Sequence, residues 1–95
     1  MWDSGAVWDP DKAQRNLAKH GVSFEDAGAV LHDPLAAIEQ DDEHTQFEER
    51  FRITGMDTKG RMLVVMIAVD IPGTIRVVSA RRPTRRERHA YEGHS

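Results

Sequence analysis

Apolar positions change their spacing midway along the chain. In the first third they recur at helical intervals. Ala13 and Leu17 share one stripe, Lys12, Asn16 and Lys19 share the neighbouring face, and His20 falls on the border. Asp9-Pro10 supplies a capping side chain and a proline suited to a first helical position, and Gly21 can close the helix. A second helix opens at Ser23, buries Phe24, Ala27, Gly28 and Leu31, and stops at Asp33-Pro34. Ahead of both, Gly5-Ala6-Val7-Trp8 predicts a short opening strand.

The second half alternates. Phe47, Phe51 and Ile53 share one strand face, with Arg50, Arg52 and Thr54 on the other. Asp57-Thr58-Lys59-Gly60 predicts a turn. Met62 to Val69 is apolar without alternation, as a central strand covered on both faces would be. Asp70-Ile71-Pro72-Gly73 turns the chain again, and Thr74 to Ala80 forms the next strand. Leu35 to Ile38 supplies one more strand, whereas the acidic run Glu39 to His44 reads as a solvated loop. Thr84 with Glu87 three residues on predicts a capping box and a short final helix through Tyr91. The expectation is an α+β fold, an antiparallel meander with the helices packed on one side of the sheet.

A chain of 95 residues suffices for a single domain spanning 1–95. There are no cysteines, which excludes a disulfide scaffold, a thiolate metal site and a cysteine nucleophile. The longest apolar run, eight residues, is far short of the roughly 20 needed to cross a bilayer. Residues 1–4 resemble no secretion signal, so the expected location is cytoplasmic and no membrane partner is expected.

Charge changes the picture more than composition does. The net charge of −3 divides into −8 over residues 1–48 and +5 over residues 49–95. Six arginines and one glutamate fall within Arg76–Arg88. Such segregation suits a polyanion, because a ligand meets a local field and not the sum. The competing account is cross-strand salt bridging with Glu48, Glu49 and Asp57.

The five histidines are scattered, with no paired metal-ligand spacing, and no glycine-rich phosphate loop or serine nucleophile elbow is present. No cofactor or metal is expected. Arginines on a sheet remain: Arg50 and Arg52 on one strand, Arg76 and Arg81 on another. A regular strand would put Arg76 and Arg81 on opposite faces. A shared site requires a bulge between them, or Arg81 beyond the strand.

Trp8-Asp9-Pro10, Lys12, Asn16 and Lys19-His20-Gly21-Val22-Ser23-Phe24-Glu25 resemble the opening signature of the BrnT toxins. Asp33-Pro34-Leu35, Glu49-Arg50-Phe51, Gly60 to Val65, Ile75 to Arg81, Thr84 to Arg88 and Tyr91-Glu92 continue the resemblance over about residues 6–92. It implies a RelE-like fold: an antiparallel meander, two N-terminal helices packed on the sheet and a short C-terminal helix. It also implies the toxin half of a bacterial type II toxin–antitoxin pair, an endoribonuclease that inhibits translation. The implied partner is a BrnA-type ribbon-helix-helix antitoxin in a 2:2 complex, with operator DNA bound only through the antitoxin.

On that resemblance the substrate is RNA, cut by attack of a ribose 2′-oxygen on the adjacent phosphorus without metal. Arg50, Arg76 and Arg81 are the expected phosphate binders. The acid and base stay open among His20, Lys12, Lys19 and Glu49; His20 equally suits a cap on its own helix. Lys12, Lys19, Arg85 and Arg86 are candidate RNA contacts. Tyr91 is a candidate base-stacking residue whose alternative role is packing. A non-catalytic nucleic-acid-binding module and a protein-interaction module remain the alternatives.

Overall fold

The computed structural model describes residues 5–45, 48–70 and 73–93, with side chains 42–45 left aside. Phe47, Ile71-Pro72 and His94 therefore lie outside the described residues. The order is α1 (Pro10–His20), α2 (Phe24–Val30), β1 (Ala37–Thr45), β2 (Glu48–Met56), β3 (Met62–Asp70), β4 (Ile75–Arg81) and α3 (Arg85–Glu92). The four strands form one antiparallel sheet in chain order.

The helix boundaries follow local chemistry. Asp9 accepts the Asp11 N–H at 2.9 Å, Pro10 occupies the first helical turn, and Gly21 closes α1 at φ 70°. Ser23 Oγ accepts the Asp26 N–H at the start of α2. Thr84 and Glu87 form the reciprocal capping box of α3: Glu87 donates its N–H to Thr84 Oγ1, and Thr84 donates its N–H to Glu87 Oε1.

Two sheet faces emerge from the strand register. Phe51, Ile53, Leu63, Val65, Ile67, Val77 and Ala80 face α1 and α2, where Val22, Phe24, Ala27, Val30 and Leu31 complete the core. Gly55 lies on this side; a Cβ there would stand 3.0 Å from Asp33 Oδ2 and 3.1 Å from Val30 Cγ1, so any larger residue would push these side chains aside. Asp33 ties the end of the sheet together, accepting the Leu35 and Met56 N–H groups and the Tyr91 hydroxyl at 2.7 Å.

Three expectations need correction. First, the strand after α2 is not confined to Leu35–Ile38: β1 runs from Ala37 to Thr45 and absorbs the acidic run. Its register sets Glu39 opposite Arg52 and Asp41 opposite Arg50, so opposite charges pair across the ladder where composition alone suggested a loop. Second, the opening segment contributes a single parallel bridge. Val7 donates to Ile75 O and accepts from Val77 N–H, both at 2.9 Å, on the outer edge of β4. Third, only α1 and α2 share a side. Glu87 of α3 meets Arg81 and Arg52, which point away from the core, so α3 lies over the opposite face.

Candidate nucleic-acid interface

The face opposite the core carries Arg50, Arg52 and Thr54 from β2, Val64, Met66 and Ala68 from β3, and Arg76, Ser79 and Arg81 from β4. A bulge puts both β4 arginines there. Val77 pairs with Ile67 and Ser79 with Met66, so Val78 is an extra residue and the parity resets. Arg76 then stands opposite Ala68 and Arg81 opposite Val64, on one face. The sequence required this device for a shared site but did not place it.

Each arginine on this face has a carboxylate against it. Glu48 receives Arg76 at 3.2 Å and Arg50 at 3.5 Å. Glu39 receives Arg52 at 2.8 Å. Glu87 receives both nitrogens of Arg81, at 2.8 and 2.9 Å, in a bidentate fork. The Arg81 fork, helped by the Thr84 N–H, outweighs burial and holds the Glu87 carboxyl down at about 2; the same contact raises Arg81.

A second cationic region flanks the edge of β4. Lys12, Arg15, Asn16, Lys19 and His20 of α1 line a groove of about 380 Å³ with Val78 and Ser79. Asn16 builds this junction. It is buried, donates to Val22 O at 3.0 Å and to Ala80 O at 2.8 Å, and accepts the Ala80 N–H at 3.1 Å. One amide thus takes the place of a neighbouring strand on the β4 edge and fixes the outer stripe of α1 beside the bulge. Lys12, Arg15 and Lys19 are exposed and make no ion pair among the described residues. Ser79 belongs to both regions, lining the groove while projecting between Arg76 and Arg81.

A family model described as "Ribonuclease toxin, BrnT, of type II toxin-antitoxin system" matches residues 8–87. The chain belongs to the BrnT family of ribonuclease toxins. The crystal structure of the Brucella abortus ribonuclease toxin BrnT superposes with a TM-score of 0.65 at 23% identity, covering 84% of this chain and 96% of that one. A comparison with curated proteins found no match.

The residues expected from the BrnT resemblance fall into three groups, with Glu49 and Tyr91 outside them. Arg50, Arg76 and Arg81 share the face opposite the core, while Lys12, Lys19 and His20 share the groove. Arg85 and Arg86 are exposed in the first turn of α3. Glu49 is not brought to the arginines: it pairs with Val69 and leaves β2 on the side of Phe51. Tyr91 is buried, with its hydroxyl on Asp33, and burial together with that hydrogen bond raises its pKa to about 12. This is the packing role, not a ring offered for stacking.

Sequence reasoning named Arg52 among the sheet arginines and Glu87 as a capping residue without giving either a role in the site, and it passed over Arg15 and the anchoring role of Asn16. Arg15 was findable from its spacing of three and four residues from Lys12 and Lys19. Arg52 shares strand parity with Arg50. Asn16 carried no such signal, since periodicity puts it on the polar face. Among the described residues no three His, Cys, Asp or Glu side chains group as metal ligands would, and no helix is long and apolar enough to cross a membrane.

Proposed function

We propose that this protein is an endoribonuclease that cleaves RNA in the cytoplasm and thereby inhibits translation. The observation that carries the reading is the Val78 bulge. It gathers Arg76 and Arg81 on the face of Arg50 and sets the groove of Lys12, Lys19 and His20 against the same stretch of β4. Arg50, Arg76 and Arg81 bind the scissile phosphate and stabilise charge growing on its oxygens. The ribose 2′-oxygen forms a bond to phosphorus as the bond to the 5′-oxygen breaks. His20 takes the 2′-hydroxyl proton, and Lys12 or Lys19 supplies a proton to the leaving oxygen. Glu49, on the other side of the sheet, has no part. Lys12, Lys19, Arg85 and Arg86 hold flanking phosphates.

The partner proposed is a BrnA-type ribbon-helix-helix antitoxin. Its dimer carries two toxin chains in a 2:2 complex, covers part of the cationic surface and supplies the operator-DNA contacts. Light scattering of the co-expressed pair tests the stoichiometry.

Cleavage is tested by incubating purified, antitoxin-free protein with single-stranded RNA in EDTA. The expected products end in a 2′,3′-cyclic phosphate or a 3′-phosphate. Cleavage that returns only with divalent metal, or 3′-hydroxyl ends, would overturn the mechanism. Salt-dependent binding without turnover would leave a nucleic-acid-binding module.

A further inference from the structure

Beside the arginines assigned to the phosphate lies a cavity that the cleavage chemistry does not use. It measures about 310 Å³ and is lined by Glu39, Gln40, Asp41, Arg52 and Met66. Arg52 connects it to the cleavage face. One guanidinium nitrogen donates to Glu39 Oε2 at 2.8 Å, and another stands 3.8 Å from the Glu87 carboxylate that grips Arg81. The third nitrogen of Arg52, Nε, is buried and has no acceptor among the described residues. Buried donors in folded proteins are nearly always satisfied, so this guanidinium is short of one acceptor. Met66, directly across the ladder from Arg52, supplies apolar surface.

This mixture disfavours a phosphate, because carboxylates rim the cavity. It favours a flat heterocycle with donors along one edge and an acceptor beside them. A carboxylate has about four acceptor positions, so Glu39 can keep Arg52 and still receive two parallel N–H groups. Among the RNA bases only guanine presents two adjacent donors, N1–H and the N2 amino group, next to the O6 acceptor. Adenine and cytosine set a ring acceptor beside their amino group, which a carboxylate repels. Uracil offers one imino donor between two carbonyls.

We propose that this cavity takes a guanine base of the RNA strand whose phosphate rests on Arg76 and Arg81, with Glu39 receiving N1–H and N2–H and Arg52 donating to O6. Glu39 and Arg52 are then specificity-determining residues for the cleavage proposed above, and the inference rests on that reading.

The test uses the purified full chain and single-stranded RNAs identical except for guanine, adenine, cytosine or uracil at one position. Guanine is expected to be favoured about tenfold or more in cleavage beside that position. Inosine, which keeps N1–H and O6 but lacks the amino group, should lose several-fold against guanine. Glu39→Gln, at an exposed position with its fold checked by melting, should flatten the preference, because the amide nitrogen meets the guanine amino group donor to donor. Equal cleavage of all four RNAs, preference for another base, or a guanine preference that survives Glu39→Gln would each overturn the proposal. If no RNA is cut, the cleavage reading falls. Binding of guanosine monophosphate against adenosine monophosphate then decides the cavity separately: tenfold tighter guanine binding, lost in Glu39→Gln, supports it, and equal binding removes it.

Discussion

On the sheet face opposite the core, every arginine of β2 and β4 has a carboxylate against it; on α1, Lys12, Arg15 and Lys19 have none among the described residues. This reverses what charge along the chain suggests. The arginines come from the half carrying +5, and the three α1 cations are the only lysines and arginines in the half carrying −8. Antiparallel pairing brings the acids to the arginines: Glu39 faces Arg52 across the β1–β2 ladder, Glu48 meets Arg50 and Arg76, and Glu87 folds back onto Arg81. The strand arginines of this face are therefore largely neutralised. The helix with few cations presents them unmatched. A polyanion approaching from solution is drawn first by exposed, unmatched cations such as those of α1, while the ion-paired strand arginines bind it only by exchanging one anion for another.

Asn16 holds the two regions together, and its removal is expected to have the largest effect. Asn16→Ala deletes three hydrogen bonds and leaves the Ala80 N–H and the Ala80 and Val22 carbonyls short of a partner in a buried setting. Each such group costs about 1–3 kcal/mol, so a loss of roughly 3–5 kcal/mol is expected in chemical denaturation. A loss under about 1 kcal/mol would show that the groove and β4 are joined by other contacts.

The next effect, about 3 kcal/mol, concerns acid. Glu87 titrates at about 2 in the fold against an ordinary value of 4.5, chiefly because Arg81 donates to it. A depressed carboxylate contributes stability that is complete above its unfolded value and is lost as pH falls through the folded one. Stability should therefore decline between about pH 4.5 and pH 2 by about 3 kcal/mol from this group. Asp33 and Asp57, both lowered by hydrogen bonds that outweigh burial, add to the same limb. In Glu87→Gln this limb should be shallower and the stability at pH 7 lower. An unchanged acid limb would show that the Arg81–Glu87 fork contributes little to folding.

Much of this was legible from local chemistry. Asp9, Ser23 and Thr84 each cap the helix that their position announces, and Met62 to Val69 lie in the central strand that unbroken hydrophobicity implies, buried except at Met66 and Val69. What was not legible depends on register. The acidic run becomes a strand only because β2 presents Arg50 and Arg52 to it. The Val78 bulge has no residue signature: neither glycine nor proline marks it, and it appears only once β3 fixes partners on both sides. The site inherits this division. Lys12, Lys19 and His20 sit together because one helix spaces them, whereas Glu49, adjacent to Arg50 in sequence, falls for that reason on the other face of the strand. Tyr91 takes the packing role that its sequence offered as the alternative; the partner that decides it, Asp33, is 58 residues away.

Third in size is the effect of Arg76. Its partner Glu48 also receives Arg50, and its side chain is 41% exposed, so Arg76→Ala should change stability by only about 0.5 kcal/mol. If Arg76 grips the phosphate in the transition state, cleavage should fall roughly 10–150-fold, equivalent to about 1.5–3 kcal/mol. Arg81→Ala should reduce cleavage similarly but also destabilise the fold, since it strips Glu87 of its fork. The pair separates binding from scaffolding on one sheet face. Full RNA cleavage in both variants would remove the open-face arginines from the proposed site.

The smallest effects on stability are expected on α1. Lys12, Arg15 and Lys19 are exposed and unmatched, so replacing any one with Gln should leave the melting temperature near that of the parent. Their contribution to RNA binding, through contacts with flanking phosphates, is screened by salt, and the informative measurement is its salt dependence. A cation that neutralises one phosphate of a single strand adds about 0.7 to the slope of log affinity against log salt. Each single substitution should lower that slope by up to this amount, and the triple variant by up to about 2, with affinity losses that shrink as salt is raised. Arg76→Ala provides the contrast. Its guanidinium already carries a carboxylate, so RNA must displace that internal anion, and its slope should change less than its cleavage rate. If instead the α1 variants leave the slope unaltered while Arg76→Ala lowers it, the ion-paired face is what meets RNA first, and the order of approach argued from the unmatched cations is reversed.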